Sequence, residues 1–310
     1  MRILVTGGAG YIGSILVPML LDDGHHVTVL DNFMYKQTSL LDCCNNSHLT
    51  IVRGDARDEN LVKGLLHQAD LIIPLACIVG APACQKDRIA AETTNLKAVL
   101  MLLRLSSFDQ PIIFPNTNSG YGIGQDGIYC DETSPLNPIS DYGKWKVAAE
   151  SALLSSGRCV TFRLATVFGI SPRMRLDLLV NDFTYRAVFD RTLVLSEAHF
   201  KRNYIHVRDA SGAFIHAVEN YDTMKGQVYN VGLSDANLSK FELCEEIKRQ
   251  VPSFHFVEAE VLKDPDQRNY IVSNAKIEAT GFQPQVSLQE GITELIKGFH
   301  ILRNEKFTNA

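Results

Sequence analysis

The sequence has no block of like charge, no Cys-x-x-Cys pair and no apolar run long enough to span a bilayer. The first absence, with a formal net charge of -5, removes the usual signature of nucleic-acid or membrane-surface binding. The second, with an odd count of seven cysteines, argues against a disulfide framework or a zinc site. The third follows from Pro74 and Gly80, which break the longest apolar stretch, Leu71 to Ala83. There is also no basic leader ahead of Ile3-Leu4-Val5, so a cytoplasmic protein is expected. No Gly/Ser/Pro-rich linker and no internal repeat divides the 310 residues.

What is present is a regular alternation. Short apolar runs at Ile3–Thr6, His26–Leu30, Thr50–Arg53, Asp70–Leu75 and Pro111–Phe114 read as strands buried on both faces. Between them, Tyr11–Asp23, Glu59–His67 and Arg88–Leu105 carry helical spacing, and Tyr142–Leu154 is followed by a strand at Val160–Ala165. The fold class is therefore α/β: a Rossmann doubly wound parallel sheet over residues 1–168. A smaller, mixed α/β substrate-binding lobe is expected over 169–310, with segments returning to the first layer.

The chemistry begins at Thr6-Gly7-Gly8-Ala9-Gly10-Tyr11-Ile12-Gly13, between the first strand and the first helix. Gly7, Gly10 and Gly13 give G-x-x-G-x-x-G, a variant of the dinucleotide fingerprint. Such glycines allow a tight turn, close approach of a pyrophosphate and close helix–sheet packing. The second strand ends at Asp31, 18 residues after Gly13. An acid there accepts hydrogen bonds from adenosine ribose hydroxyls and repels a 2′-phosphate, which favours NAD over its phosphorylated form.

Further on, Tyr142-Gly143-Lys144-Trp145-Lys146 contains Tyr-x-x-x-Lys. Residues four apart share a helix face, so the Lys146 ammonium is expected beside the Tyr142 phenol. A free tyrosine ionises near pKa ~10. A neighbouring cation lowers that value and favours a phenolate base.

Together these motifs resemble the NAD-dependent epimerase/dehydratase family, the extended short-chain dehydrogenase/reductases, over nearly the whole chain. The resemblance implies that Tyr11, Ile12, Asp31, Asn32, Asp55, Ala56, Leu75, Ala76 and Asn95 join the glycines around the cofactor. Pro74 replaces a histidine common in the family at that point. It implies a catalytic trio of Thr117, Tyr142 and Lys146. Thr117 lies four residues before Tyr121 and 25 before Tyr142; Ser119 is the alternative hydroxyl, or a sugar contact. It further implies that Asn181, Arg202, Asp266 and Arg268 hold a nucleotide-diphosphate sugar, with Arg173 and Arg175 as further lining candidates. A homodimer packed through Arg88–Leu105 and Tyr142–Leu154 is expected on the same ground.

Relatives that dehydrate or decarboxylate carry an acid just after the catalytic hydroxyl, where this chain has Asn118 and Ser119. A 3,5-epimerase would want a cysteine there. What remains is chemistry at C4 alone. Asn116–Gly124 and Val160–Ala187 resemble GDP-heptose 4-dehydrogenases of the family, so oxidation of a GDP-manno-heptose-type sugar is the leading expectation, with 4-epimerisation the alternative. A cofactor-sensing protein without turnover would typically lose the Tyr/Lys pair, and a small-ketone reductase would need no pair of pyrophosphate arginines.

Overall fold

The computed structural model describes residues 1–125, 127–259 and 268–302. The first half runs β1 (Arg2–Thr6), α1 (Gly13–Asp22), β2 (His26–Asp31), β3 (Leu49–Arg53), α2 (Glu59–Leu66) and β4 (Leu71–Pro74). Then come α3 (Ala81–Lys86), α4 (Arg88–Glu92), α5 (Ala98–Leu105), β5 (Ile112–Thr117), β6 (Tyr129–Cys130), α6 (Asp141–Ser155), β7 (Cys159–Leu164) and β8 (Thr166–Phe168). The second half continues with α7 (Leu179–Phe189), β9 (Thr192–Leu195), β10 (Lys201–His206), α8 (Val207–Glu219), α9 (Tyr221–Met224), β11 (Val228–Val231) and β12 (Asn237–Ser239). It closes with α10 (Lys240–Gln250), β13 (His255–Glu258), β14 (Ile271–Val272), α11 (Ala275–Glu278) and α12 (Leu288–Phe299).

Among the described residues, seven parallel strands form the central sheet in the order β11-β7-β5-β4-β1-β2-β3. Both faces are covered, and β1 demonstrates it. Ile3 and Val5 enter one buried cluster with α1 and α8, while Leu4 enters another with α2, α5 and α6. Side chains alternate across a strand, so a strand apolar at every position must be sandwiched. Each such fully buried aliphatic group contributes roughly 1.5–3 kcal/mol. A third cluster, built on Phe168, Phe183, Tyr204, Leu243 and Ile292, sits under α7, α10 and α12. β11, from late in the chain, returns to the edge of the central sheet beside β7.

One expected helix is broken. Over Arg88–Leu105 the structure inserts a π turn, Thr93–Lys97, between α4 and α5. Such bulges re-aim side chains and recur at functional sites. Among the described residues no helix is long and apolar enough to cross a membrane.

Candidate active site

Strand order reverses between β1 and β4, and a crevice opens at their carboxyl ends, where open α/β sheets bind ligands. It is a cavity of about 620 Å³ that continues under the second layer. That size lies within the range of small-molecule sites.

The glycine turn forms its floor. Gly7 lies at φ +70°, and a Cβ there would stand 2.6 Å from the Ala76 nitrogen. A Cβ at Gly13 would stand 2.4 Å from the Gly8 oxygen. Both positions therefore exclude side chains by contact, and Gly7 does so by conformation as well. The N-terminus of α1 has no side-chain cap at Ile12, so no side-chain oxygen covers its positive dipole end.

Asp31 closes β2 nearly buried. It accepts from Ala9 N at 3.0 Å and Phe33 N at 2.8 Å, and from the Gln37 amide at 3.3 Å. Burial pushes its pKa up, and those hydrogen bonds and Arg173 oppose the rise. Asn32 caps the next turn by accepting from Met34 N at 3.1 Å. Asp55 is paired with Arg57 at 2.6 Å, which holds its carboxyl below the usual range. Asp55, Ala56, Arg57, Leu75 and Ala76 all line the cavity.

Asn95 stands one layer behind that wall. Almost fully buried on the π turn, it accepts from Ile78 N and donates to Ile78 O, both at 2.8 Å. Its amide is spent shaping the loop after β4.

At the reaction end, Ser140 caps α6 by accepting from Gly143 N at 3.2 Å. This sets Tyr142 in the first turn and Lys146 one turn further, both on the cavity wall. Thr117 ends β5 beside them. Its Oγ1 lies 2.9 Å from Ser119 Oγ and accepts from Ser119 N at 3.1 Å. Lys146 is 4% exposed. Its Nζ donates to the Pro115 carbonyl and sits 3.8 Å from the Phe114 ring centroid. Burial lowers the Lys146 pKa, while Cys77 and Glu150 support its charge. Burial raises the Tyr142 phenol, and Arg175 and Arg268 are the cations that pull it down. The ammonium is thus engaged by a carbonyl and a ring, and two arginines act on the phenol.

The same helix face continues to Glu150, which sequence reasoning missed. Glu150 is buried against Arg163 at 2.8 Å and accepts from the Asn116 amide at 2.6 Å. Arg163 donates to the Tyr121 hydroxyl at 3.0 Å. This network braces the turn that carries Thr117 and Ser119. Its available signal was an arginine inside an apolar strand and an acid eight residues after Tyr142.

At the far end, Arg202 lines the cavity 5.7 Å from the Tyr270 ring, and donates to Lys201 O at 2.9 Å. Arg268 donates to Ser119 Oγ. Lys240, also missed, is buried on the wall and donates to Ser196 O at 2.8 Å. Arg175 lines the cavity too, paired with Asp177 at 2.5 Å, whereas Arg173 lines it at the cofactor end, beside Asp31 and Tyr35. Asn181 does not reach the wall. Fully buried, it accepts from Gly169 N at 2.9 Å and donates to Arg175 O at 2.8 Å. Asp266 lies outside the described residues.

The model of the NAD dependent epimerase/dehydratase family matches residues 3–232. UDP-glucose 4-epimerase of Mycolicibacterium smegmatis is 30% identical over 312 residues, covering 96% of this chain and 98% of that protein. UDP-glucuronic acid decarboxylase 1 of Arabidopsis thaliana is 27% identical over 313 residues, covering 96% of this chain and 70% of that one. Among solved structures, UDP-glucose 4-epimerase of Thermotoga maritima with UDP-glucose superposes with a TM-score of 0.86 at 25% identity, over 98% of this chain and 100% of that one. The glycine cradle, the uncapped α1 terminus and Asp31 fit NAD, the cofactor of the family. This chain belongs to the NAD-dependent epimerase/dehydratase family, whose relatives act on nucleotide sugars.

Proposed function

We propose that this enzyme oxidises C4 of a nucleotide-diphosphate sugar. Tyr142 takes the proton of the C4 hydroxyl as general base, and Thr117 Oγ1 hydrogen-bonds the same oxygen. Lys146 holds positive charge one helical turn from the phenol. When bound, NAD accepts the hydride from C4. Arg202, Arg268 and Lys240 hold the diphosphate, and that remote binding keeps the reacting carbon in line.

The observation that carries this reading is the state of the carboxylates on the cavity wall. Asp55 is paired with Arg57, Asp177 with Arg175 and Asp182 with Arg186, while Asp31 accepts from backbone N–H groups at the cofactor end. Among the described lining residues, none stands free beside Thr117 to protonate a leaving hydroxyl, as elimination would require. Chemistry confined to C4 needs no such acid.

The finer reading is a GDP-manno-heptose-type sugar oxidised to its 4-keto form, supported by the resemblance of residues 116–124 and 160–187. The kinship with UDP-glucose 4-epimerases favours a second outcome, return of the hydride to the opposite face and a C4 epimer. Incubating the purified protein with GDP- and UDP-sugars and resolving products by NMR tests both. A 4-keto sugar or its C4 epimer is expected. No product from any sugar, with the cofactor still oxidised, overturns the proposal.

We also propose a homodimer through α4, α5 and α6. Ile89 on this face is 78% exposed and Leu100 is 38% exposed. A monomer mass by light scattering at micromolar concentration would contradict it.

A further inference from the structure

Residues 169–178, between β8 and α7, cross from the second layer onto the glycine turn. Their start is fixed in several ways. The Tyr11 hydroxyl donates to Gly169 O at 2.7 Å, and Ser171 Oγ donates to Tyr11 O at 2.8 Å. Ser171 Oγ also lies 2.7 Å from Ser14 Oγ, and Arg173 N donates to Ser14 Oγ at 3.4 Å. Midway along the strap is a buried arginine, Arg173, whose guanidinium carbon lies 4.5 Å from the ring centroid of Tyr35.

Tyr35 belongs to the other jaw of the crevice, the segment after β2. That segment is tied to the same turn. Asp31 accepts from Ala9 N at 3.0 Å, and Ser39 Oγ donates to Ala9 O at 2.7 Å. Phe33 and Lys36 hold it in left-handed backbone at φ 53° and 54°, a conformation that non-glycine residues keep only where their surroundings fix it. Both jaws are therefore tied to Ala9–Ser14 and meet again where Arg173 stacks on Tyr35. Asp31, Gly10, Tyr11, Tyr35 and Arg173 all line the cavity.

We propose that Arg173 and Tyr35 form a latch across the cofactor crevice, so that NAD exchanges only when the strap lifts. The guanidinium serves twice. It closes the ring by cation–π stacking, and it places positive charge near Asp31 beside a dianionic pyrophosphate. Arg173 is buried and Tyr35 half-buried, so water competes less for this stack than at an exposed site. In turnover, and resting there on the C4 redox reading, the latch makes NAD a resident group, so cofactor reduced by one sugar stays in its protomer.

The test needs no sugar. Protein loaded with NAD⁺ is desalted, its cofactor content per protomer is measured after acid release, and exchange against isotopically labelled NAD⁺ is timed. Tyr35→Leu and Arg173→Met are expected to exchange about 5- to 30-fold faster than the parent, the size of one desolvated cation–π contact. Tyr35→Phe, which keeps the ring, is expected to exchange like the parent. Unchanged exchange in Tyr35→Leu and Arg173→Met, or equal acceleration in Tyr35→Phe and Tyr35→Leu, overturns the latch. Thermal unfolding of each variant separates lost fold from lost retention. Because exchange is read without substrate, a protein inert towards every sugar would sink the C4 proposal and leave this one standing.

Discussion

The two ends of the crevice are built on different principles. The cofactor end is made of backbone: a glycine turn where added Cβ atoms would collide, an uncapped helix terminus, and one acid aimed by N–H groups. The substrate end is made of long side chains delivered singly from separate elements. Arg175 comes from the strap, Arg202 from β10, Lys240 from α10 and Arg268 from the segment before β14. Backbone recognition is rigid and tied to one cofactor. On the proposed function, recognition by separate cations would keep the diphosphate requirement constant while leaving sugar and base free to change.

That contrast predicts unequal damage. The largest effect is expected at the cofactor end. Gly7→Ala combines a positive φ with a Cβ 2.6 Å from a backbone nitrogen, and strain of this kind costs about 1–3 kcal/mol before any displacement of the loop. NAD affinity, measured by calorimetry, should fall tenfold or more. An unchanged affinity would break the comparison.

At the other end, Arg268→Ala removes one cation of several. Charge-assisted hydrogen bonds contribute about 1.5–3 kcal/mol, so KM for the nucleotide sugar should rise about 10- to 100-fold with NAD binding intact. Equal loss of cofactor affinity would show that the two ends are not separable.

The smallest effect sharpens the comparison at the junction of the ends. The neutral phenol of Tyr142 is favoured by burial, so a reaction needing phenolate should rise with pH through its acidic limb. Arg175 opposes that burial, and Arg175→Met should therefore move the limb of the kcat profile to higher pH. A limb that stays put would remove Arg175 from the base's electrostatics.

The same contrast explains what could be read from the sequence. Gly7, Gly10, Gly13 and Asp31 were legible because a strand, a turn and a helix fix their relative positions within a short stretch. Tyr142 and Lys146 were legible as one helix face. The partner of the Lys146 ammonium was not, because the Pro115 carbonyl and the Phe114 ring come from β5, 31 and 32 residues earlier in the chain. Asn95 and Asn181 carry polar side chains that motif alone could not assign to wall or scaffold. Their burial decides: each satisfies backbone groups of a loop that does line the cavity. Lys240 went unseen because its role depends on how α10 packs, and the π turn because helical spacing alone does not reveal one inserted residue.

The central claim is that Tyr142 removes the proton as hydride leaves C4. Its most direct test is single-turnover absorbance at the reduced-nicotinamide band, comparing the parent with Tyr142→Phe on a sugar that the parent oxidises. Proton transfer by a positioned side chain contributes about 10²–10⁴-fold, so reduction in the variant should slow by that factor with NAD still bound. Reduction at the parent rate would contradict the account.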